Sequence, residues 1–510
     1  MEFSAEQQLA FNKYKQGANM FLTGPGGTGK SALIKYIQRD ALNQCKFIQV
    51  CALTGCAAVL LECKAKTLHS WSGIGLGKGP IEQLIKKVNK NKHSKALWKE
   101  TDILVIDEVS MMSLKLFETL DAIGKSVRKN RQPFGGIQLI FSGDFYQLPP
   151  IGDRDDPDTS KFCFESEFWF TTFLKQDHIQ LQKIFRQNDP VYQGILNQVR
   201  EGRLKRSSND ALLHNVGRQI DASAAIRPTK LFPTRNKVDN INMTEMDKLT
   251  GDEMDYKLKY HGDLEMTANE RLLRTQYSPE QIKTELEYLK GNLRCDENIR
   301  LKIGSQVMCI VNIELSNGEM LCNGSKGIVV RFSQEGVPVI RFSRANTISN
   351  TTGSSNSSSN SFEITMNYHI WPSENIPGLG VSQLPLILAW ALTIHKAQGA
   401  TLDVAEIDAG SGIFECGQTY VALSRVKSLE GLYLTSFDAR KIRIHKKVQE
   451  FYQLLKEQEE ASKVAVAQIP VAVTQEQIPV ATIVTATQVI EIPASDTQAL
   501  VQVVRLPENE

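Results

Sequence analysis

No stretch of this 510-residue chain stays apolar for the roughly 18 residues that a membrane-crossing helix needs, which argues against a helical membrane protein. Met1-Glu2-Phe3-Ser4-Ala5-Glu6 lacks the basic and apolar segments of a secretory signal and the Arg-rich, acid-poor character of a mitochondrial presequence, so neither address is expected. Paired cysteine spacings are also missing. The nine cysteines are odd in number and sit mostly in apolar stretches, as reduced thiols of a soluble intracellular protein, nuclear or cytoplasmic, would. Cys51, Cys56, Cys63 and His69 lie close in sequence without a paired C-x-x-C, and core thiols are a better reading than zinc or iron–sulfur ligands. Asp177 and His178 join no triad or metal pattern. Net charge is nearly absent, at +2, but unevenly spread. Beyond residue 463 a single base, Arg505, faces Glu476, Glu491, Asp496, Glu508 and Glu510, leaving a mildly basic body that permits nucleic-acid binding without requiring it.

What is present is an alternation of short apolar runs with amphipathic stretches. Met20-Phe21-Leu22, Phe47-Ile48-Gln49-Val50, Ile103-Leu104-Val105-Ile106 and Gln138-Leu139-Ile140-Phe141 read as buried strands of a parallel sheet covered on both faces. Residues 81–99 read as one helix with Ile81, Leu84, Ile85 and Val88 on its apolar face and lysines elsewhere, a face that suits solvent as well as it suits DNA. From about 295 to 380 the pattern turns to β, as in Gln306–Ile310 and Gly327–Phe332, with a Ser/Asn-rich loop over 347–361. The α/β pattern resumes at Leu384–Leu388 and ends in a charged helix near 440–460. The last residues repeat Gln-Ile-Pro-Val-Ala at 468–472 and 477–481, carry no aromatic residue or glycine, and read as disordered, with docking on a protein partner as their expected use.

Three motifs carry chemistry. Gly24-Pro25-Gly26-Gly27-Thr28-Gly29-Lys30-Ser31 lies between a strand and an amphipathic helix. Its glycines let backbone N–H groups wrap phosphate oxygens at a helix N-terminus, Lys30 reaches the terminal phosphates, and Ser31 reaches Mg²⁺. Asp107 and Glu108 end an apolar strand. Asp107 suits the hydrated Mg²⁺ and Glu108 the attacking water, although two carboxylates there also make an ordinary strand-end turn. Gln147, in Gly143-Asp144-Phe145-Tyr146-Gln147-Leu148-Pro149-Pro150, suits a reporter on the terminal phosphate or its water, or simply part of a proline-stiffened turn. Arg186 and Arg425 are candidates to stabilise charge on a transferring phosphoryl group, with surface positions as the bland alternative.

The order and wording of these motifs resemble the Pif-one helicases, the 5′→3′ branch of superfamily one that includes RecD-type motors, over residues 4–440. Ser4-Ala5-Glu6-Gln7-Gln8 resembles the adenine-reading motif, with Gln8 as its key residue. Leu53–Ala58 and Thr67–Trp71 resemble early DNA-contact motifs, Asp107–Met111 the Mg²⁺ motif, and Leu114–Val127 with Pro133–Gly136 the family signature. Leu301–Gly304 through Asn323–Gly327 is similar to an inserted small β barrel, Ala389–Gly399 to a late DNA-contact motif, and Gln418–Val426 to the segment bearing the late arginine. The chain departs from the pattern at Ala400, where a larger apolar residue is common, in the loop of the β module, and in the repeat-bearing tail.

The resemblance implies an α/β fold of two RecA-like P-loop domains with a small β barrel inserted in the second. The expected bounds are 1–163 for the first domain with a short wedge region, 164–294 and 381–455 for the second, 295–380 for the barrel and 456–510 for the tail. It implies an ATP- and Mg²⁺-dependent, DNA-unwinding monomer that loads on single-stranded and tailed duplex DNA. Lys30, Asp107, Glu108, Gln147, Arg186 and Arg425 would be catalytic, with Gln8 and Gly24 to Ser31 on the nucleotide, Ser31 and Asp107 on the metal, and Thr54, Thr67, His69, His395 and Lys396 on DNA. The rival readings are a P-loop nucleotide kinase, which needs no second α/β domain, an ATP-driven translocase that does not unwind, and a protein that uses ATP only as a switch.

Overall fold

The computed structural model describes residues 3–467 except 55–56, 59–60, 62, 64, 76, 78, 154, 220–227, 294, 312, 316–318, 322–323, 344–346, 350–360 and 374–375. The chain opens on a helix, Ala5–Lys15, fixed by a reciprocal cap in which Ser4 Oγ accepts from the Gln7 N–H and Gln7 Oε1 accepts from the Ser4 N–H. A six-stranded sheet follows. Its strands are β1 (Met20–Thr23), β2 (Ile48–Ala52), β3 (Lys66–Thr67), β4 (Ile103–Asp107), β5 (Gln138–Gly143) and β6 (His178–Gln180), in the order β3-β2-β4-β5-β1-β6. Every pairing is parallel. β1 and β4 are buried along their whole length, as strands covered on both faces must be. Because β4, β5 and β1 are neighbours, the turns that follow them, at Asp107–Glu108, Asp144 and Gly24, open at one edge of the sheet, where α/β folds place their ligands.

A second parallel sheet of four strands runs Ala391–Thr393, Thr229–Phe232, Ala405–Ala409, Leu432–Phe437. Between its first two strands in sequence lies the β module, built on a five-stranded antiparallel sheet ordered Ser361–Thr365, Pro338–Ser343, Lys326–Phe332, Gln306–Cys309, Leu386–Leu388. No pairing among the described residues closes this sheet into the expected barrel.

Several expected boundaries move. β6 belongs to the first sheet, so the first domain passes residue 163. Leu386–Leu388 pairs with the module rather than resuming the α/β pattern, and Met254–Lys257 and Lys259–His261 pair with Asn298–Leu301 and Gly380–Gln383, drawing residues well before 295 into the β region. The stretch read as one helix over 81–99 is two, Ile81–Lys90 and Lys92–Glu100, because Asn91 leaves the helical conformation and its side chain caps the second. The last described helix runs Lys446–Ala467, so the expected tail boundary at 456 falls inside it, and Val448, Phe451 and Tyr452 pack into the core of the first domain rather than the second. The Ser/Asn-rich loop is partly strand, at Thr347–Ser349 and from Ser361, while 350–360 and the repeats of the tail lie outside the described residues.

Candidate active site

The phosphate loop is bent by necessity. Gly24, Gly27 and Gly29 have φ of 142°, 85° and 83°. A Cβ on Gly24 would meet the Leu181 carbonyl oxygen at 2.4 Å, and one on Gly27 would meet Arg186 Cβ at 2.4 Å, so only glycine fits. The helix Lys30–Asn43 starts directly after the loop with no side-chain cap on its first N–H groups, leaving them for an anion. Lys30 Nζ donates to the carbonyl oxygens of Gly24 (2.7 Å) and Pro25 (2.9 Å), which hold the ammonium over the loop.

The loop forms one wall of a cavity of about 510 Å³ that also takes in Ser31, Asp107, Glu108, Gln147, Arg186 and Arg425. All six expected catalytic side chains therefore meet in one place. Gln147 is buried, and its Oε1 has no hydrogen-bond partner among the described residues. Glu108 holds a left-handed backbone (φ 56°), which is unusual for a non-glycine residue and turns it out of the strand line set by Asp107. The Arg186 guanidinium donates to the Ser424 carbonyl at 3.2 Å. A Cβ on Gly26 would lie 3.5 Å from Arg186 Nη1 and 3.6 Å from Arg425 Nη2, so two guanidiniums converge on the loop.

The electrostatics describe a site where buried cations crowd together. Burial lowers the Lys30 ammonium and the Arg186 guanidinium from their ordinary values. Burial, and then the neighbouring Arg186, bring Arg425 down to about 9. On the acidic side burial raises Asp107, against the pull of Ser142, Lys30 and Ser31, and burial with the adjacent Asp107 raises Glu108 to about 7. Crowded cations and two adjacent buried carboxylates, both pushed up, fit a polyphosphate bound with a divalent cation. Ser31 and Asp107, a hydroxyl and a carboxylate side by side, are hard oxygen donors suited to Mg²⁺.

Gln8 is the residue expected to read adenine. It is exposed and donates to Asn12 Oδ1 at 2.9 Å, away from the site. Its neighbour Gln7 is the buried one: its Nε2 donates to the Thr28 carbonyl at 3.4 Å and lies 2.7 Å from where a Cβ on Gly29 would be. The cap at Ser4 does not by itself mark Gln7, since Gln281 holds the same position in a capping box and is exposed. Sequence reasoning also passed over Gln398, whose Nε2 donates to Glu108 Oε2 at 3.2 Å, and Tyr420, whose hydroxyl accepts from the Gly26 N–H at 2.9 Å. Both stand inside motifs singled out for other residues.

The expected DNA contacts fall in two groups on the two domains. Thr54 Oγ1 accepts from the Ala57 N–H, and Thr67 caps the helix Leu68–Ser72 and meets the Tyr288 hydroxyl at 3.1 Å. His69 lines a second cavity, of about 640 Å³, with Leu53, Pro150 and Ile151. His395 lies parallel to Phe414 with centroids 6.5 Å apart, next to Lys396 in the turn after Ala391–Thr393. Burial lowers both histidines below the ordinary imidazole value, so near neutral pH they offer neutral donors and flat faces rather than positive charge.

Two parallel α/β sheets, with a phosphate loop and paired carboxylates at the edge of one and arginine delivered from the other, define a RecA-like P-loop protein. A family model described as PIF1-like helicase matches residues 2–210, and one described as DNA helicase Pif1, 2B domain, matches residues 286–332. The chain is 36% identical to the ATP-dependent DNA helicase PIF1 of Emericella nidulans, over 89% of this chain and 63% of that protein. It is 34% identical to the ATP-dependent DNA helicase RRM3 of Saccharomyces cerevisiae, over 88% and 67%. A crystal structure of the Pif1 helicase from Candida albicans superposes with a TM-score of 0.71 at 34% identity, covering 89% of this chain and all of that one. The chain belongs to the PIF1-like helicase family. It spans 63% and 67% of the length of the two relatives named.

Proposed function

We propose that this chain is an ATP-dependent DNA helicase that hydrolyses ATP with Mg²⁺, moves 5′→3′ along single-stranded DNA and separates the duplex ahead of it. The observation that carries this reading is the convergence of Arg186 and Arg425 on Gly26 of the phosphate loop. Arg425 comes from the second domain, so turnover depends on how the two domains sit. A nucleotide kinase does not require that arrangement, and a motor does.

In this mechanism Lys30 and the loop N–H groups hold the terminal phosphates, and Ser31 with Asp107 would hold the metal, which screens phosphate charge. Glu108 accepts the proton as a water oxygen attacks the terminal phosphorus and the bond to the ADP oxygen breaks. The Gln147 side chain, at the cavity wall, orients that water, and the two guanidiniums stabilise the charge that develops on the phosphoryl oxygens. Closing and reopening of the cleft shifts the DNA-facing groups of the two domains relative to each other. Thr54, Thr67 and His69 on one side, and His395 and Lys396 on the other, are the proposed contacts. The neutral, flat His395–Phe414 pair suits bases better than phosphates. The place of action is inside the cell, and the tail beyond residue 467 is a candidate docking segment for a protein partner.

Strand displacement on substrates that differ only in the polarity of a single-stranded tail tests the reading, with Lys30→Ala as the inactive control. The 5′-tailed duplex should be unwound and the 3′-tailed one should not. Unwinding of the 3′-tailed duplex alone would reverse the polarity. DNA-stimulated hydrolysis with no unwinding of either would point to a translocase.

A further inference from the structure

Outside the lining of the nucleotide cavity, yet close enough for its charges to act on Lys30, the two domains are joined by a different kind of contact. Asp144, directly after β5, receives both arms of Arg200: Nε donates to Oδ2 at 2.9 Å and Nη2 to Oδ1 at 2.8 Å. Arg200 ends the helix Pro190–Arg200, whose Tyr192, Ile195, Leu196 and Val199 belong to the core of the second domain. The pair is closed to solvent, the side chains being 4% and 0% exposed.

Aromatic rings complete the joint. Tyr146 and Tyr452 stack with centroids 4.6 Å apart at 11°, and the Arg200 guanidinium lies 4.4 Å from the first ring centre and 5.4 Å from the second. Tyr452 comes from the helix Lys446–Ala467, which follows the second domain in sequence yet packs into the core of the first. Its hydroxyl bonds Thr23 Oγ1 at 2.6 Å, accepts from the Phe145 N–H at 3.2 Å and donates to Asp144 Oδ1 at 3.4 Å. Thr23 is the residue before the phosphate loop. One hydroxyl thus ties the entrance of the loop, the turn after β5 and the ion pair together.

Contacts across the nucleotide cleft are of another kind. Tyr420 to Gly26 and Gln398 to Glu108 are single hydrogen bonds beside a cavity open to a ligand, and water or nucleotide can replace either partner. A bidentate ion pair closed to solvent is harder to part, because separating it leaves two charges without their partners beside the stacked tyrosines.

We propose that the Asp144–Arg200 pair is the fixed pivot about which the second domain closes on the phosphate loop, and that Tyr452 is the positioning residue that holds this pivot in register with Thr23. The proposal rests on the ATP-driven reading above. Loosening the pivot should leave the loop able to hold nucleotide but deliver Arg186 and Arg425 inaccurately, so the loss should fall on kcat rather than KM.

The test uses the full chain with Tyr452→Phe, which keeps the ring stack and removes the hydroxyl, and with Arg200→Lys and Arg200→Ala. Steady-state ATP hydrolysis in saturating single-stranded DNA is read beside the melting temperature. Tyr452→Phe should lower kcat about tenfold, the weight of one hydrogen bond to a charged group, with KM for ATP within about twofold of the parent. Arg200→Lys should recover part of the kcat that Arg200→Ala loses. The proposal is overturned if Tyr452→Phe hydrolyses ATP at the parent rate, whether or not it melts earlier, or if the loss appears in KM alone. The two readings fail separately. Parent protein that hydrolyses ATP but unwinds nothing sinks the helicase reading and leaves the kcat–KM split to decide the pivot. Parent protein that unwinds, with Tyr452→Phe indistinguishable from it, sinks the pivot only.

Discussion

The amide of Gln398 donates to the carboxylate of Glu108 over 3.2 Å, so the residue proposed to take the proton from water in the first domain is held by a side chain of the second. Glu108 sits between opposing influences. Burial and Asp107 push its pKa up to about 7, while Arg425, Lys30 and the Gln398 hydrogen bond pull it back. Its readiness as a base is therefore set partly by the other domain.

A pH dependence follows. The proton-accepting form of Glu108 fills as pH rises through about 7, so kcat/KM for ATP should climb across that range and level off above it. Gln398→Ala removes a group that favours the carboxylate. The rising limb should move to higher pH while the plateau persists, and a limb that stays in place would separate Gln398 from the base. Glu108→Gln should bind nucleotide and turn over poorly at every pH, measured by equilibrium binding beside steady-state hydrolysis.

Arg186→Ala and Arg425→Ala should each lower turnover by a factor on the order of 10³, the low end for such arginines, because two share the task. Both side chains are crowded cations before an anion arrives. A non-hydrolysable ATP analogue should accordingly raise the melting temperature of the parent more than that of either variant, read by thermal shift. Normal turnover of either variant in saturating DNA would remove that arginine from the reaction.

The two adjacent glutamines should separate cleanly. Gln7→Ala deletes the amide packed on Thr28 and Gly29 and should raise KM for ATP about threefold to tenfold, the range for one hydrogen bond. Gln8→Ala loses only a surface contact to Asn12 and should leave KM unchanged. Equal effects would return the adenine contact to an open question between them.

Stability should need the start of the helix Lys446–Ala467 but not the segment that follows the helix. Phe451 is 5% exposed and stacks on Phe164 with centroids 4.4 Å apart. Phe451→Ala should cost about 3–5 kcal/mol of stability, measured by denaturant unfolding. Deleting 468–510, which has no aromatic residue or glycine to pack, should leave both melting and ATP hydrolysis close to those of the full chain. A large fall in melting temperature on that deletion would show that the segment is part of the folded body.

Much of the site could be read along the chain because its chemistry is local. A phosphate loop needs glycines at positive φ, then a lysine and a hydroxyl at the start of a helix. Gly24 to Ser31 carries all of these in eight consecutive residues. Asp107 and Glu108 were visible because a strand buried on both faces must be apolar, and an abrupt pair of carboxylates marks where it emerges. The parallel sheet of the first domain was legible for the same reason.

What could not be read was whatever depends on distant segments meeting. One residue's step around the helix, about 100°, decided that Gln7 rather than Gln8 faces the loop. Register across strands took Leu386–Leu388 out of the α/β pattern and into the β module. Nothing near Arg200 or Tyr452 in sequence marks either residue, since an arginine at a helix end and a tyrosine in a charged helix are ordinary surface residues until folding buries them on Asp144 and Thr23. The sequence determined which groups could bind phosphate and move a proton, because those needs are met by neighbouring residues. Only the tertiary structure decided which residues join the two domains, because a buried ion pair and a stacked tyrosine gain their strength from the exclusion of water, which no segment achieves alone.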